Sequence, residues 1–287
     1  MEIIAFDQKV AISWIKRKEQ FGGMLMPAAL DSTAALFDEQ SFASRVADDA
    51  RIIARKHYRH CNGLELKSDR SPVTLADQEI EQLIRGAIEA RYPDDGVFGE
   101  ETGVTGLERH RLWVVDPIDG TGSFATGNPL FGTLIGLCVS GHPVLGLLDA
   151  CATDERWVAA SGKGASMNGR ACRASGRLNL SEASISCSPF REDDGRQRDA
   201  YRAVMQRAAM ARLGGDCYSY GLLALGHLDA VMETGLKPYD FLPLVPIVEE
   251  AGGVITDWKG APLTPASGGE VVAAASAELH AQILKLL

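Results

Sequence analysis

Basic charge is scarce in this 287-residue chain: 29 Lys and Arg stand against 38 Asp and Glu, a formal net charge of -9. That balance disfavours a general electrostatic grip on DNA or on an anionic membrane, so neither nucleic acid nor membrane is expected as a partner. A small anionic substrate would need local cations or metal to hold it. Long apolar runs are missing too. None approaches the about 18 residues that spanning a bilayer requires, and Glu2, Asp7 and Lys9 stand where a signal peptide needs an apolar stretch. A cytoplasmic location is the expectation. The six cysteines, at 61, 138, 151, 172, 187 and 217, show no C-x-x-C and no histidine at zinc-site spacing. A chain of this size needs no disulfide staples, so they read as small buried hydrophobes. With 46% hydrophobic residues the chain can bury a large core, as one broad domain or two smaller ones.

The first forty residues carry no strong period and read as an N-terminal extension over 1–40, in part disordered, with Met24 and Met26 as candidate internal starts. From Ser41, Phe42, Val46, Ile53 and Ala54 fall at helical spacing, which predicts a helix ending near Cys61-Asn62-Gly63. Thr74 and Asp77 have capping-box spacing before the apolar stripe Ile80, Leu83, Ile84, Ala87 and Ile88, and Tyr92-Pro93 ends this second helix. Residues 111–119 read as a short, fully buried strand, Leu112 to Val115, that stops at Asp116-Pro117, and residues 130–175 as an antiparallel meander with a hairpin at Asn168-Gly169. Beyond 181, strands at 184–188, 213–216, 229–233, 253–257 and 270–275 and helices at 198–211, 218–226, 240–251 and 277–287 are expected. The reading divides the chain into an α+β half over 41–180 and an α/β half over 181–287. Ser276 and Gly252-Gly253 are cap signals; Pro243 is expected in a first turn, with a distortion at Pro246.

The chemistry concentrates in Trp113-Val114-Val115-Asp116-Pro117-Ile118-Asp119-Gly120-Thr121. Two carboxylates three apart at a strand end can converge on one hard cation that takes oxygen ligands. Pro117 has no N–H to compete, and the Ile118 carbonyl can face the metal. Gly120 and Thr121 offer backbone N–H groups at a helix start, where a phosphate is well placed. Gly99-Glu100-Glu101 supplies more carboxylate, and Asp77 and Asp240 each begin a helix. Taken singly, Asp77 and Asp240 also read as caps and Glu100-Glu101 as a solvated pair. The Asp116/Asp119 pair resists such a reading, because an apolar strand draws both out of water while like charges repel. The sequence has no G-x-x-x-x-G-K-[ST], G-x-G-x-x-G or G-x-S-x-G. Nor does it have the D-x-D nucleophile of haloacid-dehalogenase-like phosphatases, so a phosphoaspartate mechanism is not indicated.

In order and spacing, Gly99-Glu100-Glu101, Asp116 to Thr121, the Gly164-Ala165…Asn168-Gly169 hairpin, and Tyr239-Asp240 with Glu249…Gly252-Gly253 resemble the inositol monophosphatase family. The resemblance covers residues 41 to 287 and rests on several separate motifs. Within the family, Ser123 to Gly127, Pro129 to Leu134, Glu155 to Trp157, Gly214 to Tyr218 and Gly235 to Asp240 look most like the histidinol-phosphate phosphatase branch. Gly122 stands where that branch commonly has a lysine, and Ala150-Cys151 where it has Gln-Pro. The resemblance implies a layered αβαβα sandwich and a Mg²⁺-dependent phosphomonoesterase holding two to three ions. It implies Glu100, Asp116, the Ile118 carbonyl, Asp119 and Asp240 as metal ligands, with Asp77 reaching a more weakly held ion and Lys67 near it. Glu100 and Thr121 would orient the attacking water, and Gly120 and Thr121 would hold the phosphate. Asp119, Asp216, Glu233 and Asp240 would meet the rest of the substrate. The implied reaction is hydrolysis of L-histidinol phosphate in histidine biosynthesis, by a homodimer. An inositol or sugar phosphate is the alternative substrate, and a catalytically silent metal- or phosphate-binding regulatory protein is the alternative from another class.

Overall fold

Ile80, Ile84 and Ile88 repeat at helical spacing and are fully buried, so one face of their helix must lie on a sheet. The computed structural model, which describes residues 36–60, 65–66, 72–188 and 195–287, shows which sheet. Its helices are α1 (Phe37–His57), α2 (Leu75–Arg91), α3 (Thr121–Thr126), α4 (Gly195–Met205), α5 (Asp216–Ala224), α6 (Pro238–Phe241), α7 (Leu244–Glu250) and α8 (Ala277–Leu284). A small pair, β1 (Glu65–Leu66) and β2 (Pro72–Val73), precedes α2. Eight strands form the large sheet: β3 (Gly96–Gly99), β4 (Gly103–Thr105), β5 (Arg111–Asp119), β6 (Gly132–Val139), β7 (His142–Ala150), β8 (Glu155–Ala160), β9 (Ala165–Met167) and β10 (Arg170–Ala171). They lie in the order β10-β9-β8-β7-β6-β5-β3-β4, with only β3 and β5 parallel. A second sheet of β11 (Ser184–Cys187), β12 (Met210–Leu213), β13 (Ala230–Glu233), β14 (Val254–Asp257) and β15 (Val271–Ala274) is ordered β12-β11-β13-β15-β14.

Three apolar cores follow from strand alternation. In β5, Trp113 and Val115 join the core beneath α1 and α2, whereas Leu112 and Val114 point the other way. There they meet α5, α7 and the near face of the second sheet, through Tyr220, Leu223, Ile247, Val248, Val231 and Val271. The far face of that sheet packs Ile185, Met232 and Val272 on Tyr201 and Val204 of α4 and Leu279 and Ile283 of α8. Helix, sheet, helix, sheet, helix is therefore the layering, as the family resemblance implied. Asp149, 1% exposed on β7, accepts from both Arg51 of α1 and Arg156 of β8, which ties the outer helix layer to the sheet.

Several boundaries differ from expectation, each for a local reason. Helix α1 begins at Phe37, inside the expected extension, and ends at His57 rather than near residue 61. Arg59 takes a left-handed φ of 61°, and the Tyr58 hydroxyl donates to the Gly127 carbonyl at 2.7 Å, drawing the chain off the helix axis. Strand β5 has the expected bounds, 111–119, but it is not interrupted at Asp116-Pro117 and continues pairing to Asp119. The strand expected near 213–216 lies at Met210–Leu213, paired in parallel with β11. The helix expected over 240–251 is two, broken at Leu242-Pro243. Pro246 falls in the first turn of α7, where a missing N–H costs nothing, so no distortion is needed there. The meander, the Asn168-Gly169 hairpin and the Ser276 cap, whose hydroxyl accepts from Leu279 N–H, are as expected. Cysteines 138, 151, 172, 187 and 217 are buried and free; Cys61, Lys67, Met24 and Met26 lie outside the described residues.

The break at Pro243 is seated on two glycines. A Cβ at Gly146 would lie 1.9 Å from the Pro243 carbonyl oxygen, and one at Gly136 3.1 Å from the Pro243 ring. Only bare backbone on β6 and β7 lets α6 and α7 approach this closely. Gly146→Ala is expected to lower stability by about 3 kcal/mol, the cost of overpacking against backbone. Gly86→Ala, on the open face of α2 with nothing near its Cβ, is expected to add about 0.5–1 kcal/mol. Urea denaturation of the two variants checks both.

Candidate metal and phosphate site

Residues three apart in a regular strand point to opposite faces, so Asp116 and Asp119 share a face only if the strand is irregular. It is. Asp116 pairs with Leu134 and Asp119 with Gly132, so Pro117 and Ile118 together oppose Thr133 alone. This bulge shifts the pleat by one residue and turns both carboxylates the same way. Pro117 gives up no ladder donor there, and its carbonyl accepts from the Thr133 hydroxyl at 2.8 Å.

Asp240 arrives from α6, the segment seated on Gly136 and Gly146. Its Oδ2 accepts from Lys237 N–H at 2.7 Å, so the expected cap role is real, and its carboxylate also joins the other two. Carboxylate oxygens of Asp116, Asp119 and Asp240 lie within 4.8 Å of one another. A second triad, Asp77, Glu100 and Glu101, meets the same limit. Asp77 likewise does both things: its Oδ2 accepts from Thr74 N–H at 2.8 Å and from the Thr74 hydroxyl, while Oδ1 lies 3.4 Å from Thr121 Oγ1. Thr121 Oγ1 is 3.0 Å from the Ile118 carbonyl oxygen, which takes one of that carbonyl's two acceptor positions. Gly120, with φ 83°, caps α3 and leaves the N–H groups of its first turn without intrahelical partners.

The electrostatics are one-sided. Burial, then Glu100 and Asp119, push the Asp116 carboxyl well above its usual range; burial, then Asp119, does the same to Asp240. Asp119 is pushed up to about 7 by burial and by Asp216, against the pull of the Cys217 N–H, which donates to it at 2.6 Å. Asp77 rises to about 6, chiefly through burial. Asp116 Oδ1 is buried with no hydrogen-bond partner. An orphaned carboxylate oxygen inside an all-oxygen donor set fits a hard divalent cation and little else.

The two acids expected to meet the rest of the substrate are beside this cluster. Asp216 opens α5 at a left-handed φ of 43°, and its carboxylate accepts from the Ser123 hydroxyl at 3.2 Å. Glu233, at the end of β13, is buried, and burial together with Asp119 and Asp216 raises it to about 8. Of the two departures noted from the sequence, Ala150-Cys151 is absorbed into packing, whereas Gly122 borders the site with nothing within 4 Å of a Cβ. Sequence reasoning passed over Ser123, the Cys217 N–H and Glu81. The signal for Glu81 was an acid set on the apolar face of α2, four residues after Asp77 and three before Ile84.

A family model described as the inositol monophosphatase family matches residues 38–287. The chain belongs to that family. Among curated relatives, the bifunctional phosphatase IMPL2, chloroplastic, of Arabidopsis thaliana is 40% identical over 252 residues, covering 84% of this chain and 72% of that protein. A histidinol-phosphatase of Streptomyces coelicolor is 35% identical over 263 residues, 87% of this chain and 97% of that one. A solved inositol monophosphatase from Zymomonas mobilis superposes with a TM-score of 0.80 at 41% identity, covering 88% of this chain and 98% of its own. The protein is thus a metal-dependent phosphomonoesterase of the inositol monophosphatase family that takes small phosphate esters. No helix among the described residues is long and apolar enough to cross a membrane.

Because like charges crowd the metal-free site, Asp116→Asn is expected to raise the melting temperature in chelator by about 2–4 °C. The same variant should lose the rise that Mg²⁺ gives the parent protein. Differential scanning fluorimetry with EDTA and with Mg²⁺ reads both.

Proposed function

We propose that the protein hydrolyses L-histidinol phosphate to L-histidinol and phosphate, with Mg²⁺ as its ion. The observation that carries this reading is the buried Glu233 and the half-buried Asp216 beside Asp119: a wall of acids suits the ammonium and imidazole of histidinol better than hydroxyls. A cation there also favours the ionised form of Glu233, which burial opposes. The Streptomyces relative is a histidinol-phosphatase by name, in line with this reading.

Asp116, the Ile118 carbonyl, Asp119, Asp240 and Glu100 are the ligands we assign, with Asp77 serving a further ion. Bound Mg²⁺ supplies Lewis acidity that neutralises phosphate charge and makes water a better nucleophile at neutral pH. Gly120 and Thr121 N–H groups hold the phosphate oxygens at the start of α3. Thr121 Oγ1, anchored on the Ile118 carbonyl, and the Glu100 carboxylate orient the attacking water, whose proton ends on the departing ester oxygen as the P–O bond breaks. Asp216 and Glu233 hold the departing alcohol, so the phosphorus is presented with its leaving group fixed. We read the functional unit as a homodimer.

A second reading, an inositol or sugar phosphate as substrate, is favoured by the open Gly122 position and by the Zymomonas structure's name. Phosphate release from histidinol phosphate, inositol 1-phosphate and fructose 1,6-bisphosphate, each with and without Mg²⁺, separates the readings. Highest kcat/KM on histidinol phosphate, lost without Mg²⁺, is the expected outcome; higher kcat/KM on inositol 1-phosphate would sink the proposal. Silence on all three with Mg²⁺ bound would point to a regulatory role instead. Asp216→Asn is expected to raise KM for histidinol phosphate about tenfold or more, from loss of one charge-assisted bond, and to change the other two substrates little. Sedimentation at several concentrations should show the dimer.

A further inference from the structure

Glu81 lies on α2 with no exposed surface, one turn beyond Asp77 and between the buried Ile80 and Ile84. A carboxylate in such a place is costly unless its acceptor capacity is filled. Both oxygens are filled by one short turn. Oε2 accepts from Glu101 N–H at 2.6 Å, and Oε1 accepts from Thr102 N–H at 2.8 Å and from the Thr102 hydroxyl at 2.5 Å. That turn joins β3 to β4 and carries Glu100 and Glu101. One helical turn further along α2, Arg85 donates to the Gly103 carbonyl at 2.7 Å and to the Thr105 hydroxyl at 3.2 Å, and stands 3.7 Å from Glu81. Gly99 completes the fit, because a Cβ there would come within 2.3 Å of Glu81 Oε1.

We propose that Glu81, backed by Arg85, is a positioning residue for the divalent-ion site: it sets where the Glu100-Glu101 turn stands relative to Asp77. The inference rests on the metal reading of that site and goes beyond it, since Glu81 itself touches neither ion nor substrate. Asp77 and the clamp occupy the same helix, so one rigid element fixes both the acid at its start and the turn that must face it. A residue that only filled space could be uncharged. A bidentate acceptor is needed because the two successive N–H groups meet two different oxygens, and in a glutamine one of those positions becomes an NH₂ donor facing a donor.

The test is Mn²⁺ binding to chelator-treated protein, read by calorimetry without substrate, for the parent, Glu81→Gln and Arg85→Met. Outer partners of ligand residues usually matter about 10–100-fold in metal affinity, so Glu81→Gln is expected to bind at least about tenfold more weakly. In turnover assays its apparent Mg²⁺ constant should rise, with substrate KM at saturating Mg²⁺ unchanged, and the Glu101 and Thr102 amides should exchange faster. A lowered melting temperature with parental Mn²⁺ affinity overturns the proposal, because it marks Glu81 as structural only. Should Glu81→Gln fail to fold, Arg85→Met decides: weaker Mn²⁺ binding supports the clamp and parental binding overturns it. A parent protein that binds no Mn²⁺ overturns the metal reading itself, and the clamp with it. Parental binding left unchanged in both variants overturns the clamp alone.

Discussion

Three carboxylates from two distant segments converge in a space where each opposes the charge of the others, and the architecture around the site is built to hold that arrangement. The first device is the bulge in β5. Were β5 regular through Pro117-Ile118, Asp119 would face the layer opposite Asp116 and the pair would serve no common ion. The bulge also frees the chain to turn at Gly120 into α3, so the phosphate-facing turn and the acids come from one local irregularity.

The second device is close approach in the middle layer. Asp240 reaches the strand acids only because α6 and α7 sit hard against β6 and β7, over Gly136 and Gly146. The helix break at Leu242-Pro243 lets α6 tip its first turn toward β5 while α7 continues into the core between the sheets. Packing and chemistry are thus coupled: the apolar contacts of Phe241, Leu242 and Leu244 hold an acid where electrostatics alone would not keep it.

The net charge of -9 takes on a local meaning here. Asp77, Glu100, Glu101, Asp116, Asp119 and Asp240 form two adjoining triads, and Asp216 and Glu233 stand beside them. Such a concentration repels an anionic phosphate when bare; divalent cations held among the carboxylates offset that charge and give the phosphate oxygens positive centres to meet. The stability that the metal-free protein forgoes at this spot is the usual accompaniment of a preorganised site.

Much of this was legible in one dimension. The capping box at Thr74, the isoleucine stripe behind it, the Asn168-Gly169 hairpin and the acids around Asp116 each carry a local signal, because caps, helical faces and two-residue turns are decided by neighbours in the chain. Several features were not legible, because they depend on partners far away. The bulge in β5 is defined by its pairing with β6, and the helix break near Pro243 by glycines about a hundred residues earlier. The position of β12 was likewise settled by its register with β11. Glu81 carried no reading of its own in the sequence, because its role depends on the Glu101-Thr102 turn, twenty residues on, that folds onto it. By itself the sequence determined which residues could ligate, cap and turn, since those are properties of side chains and short spacings. Which of the acids share a face, and which backbone N–H groups restrain them, only the tertiary structure decided, because these are properties of distances between segments that the chain order leaves open.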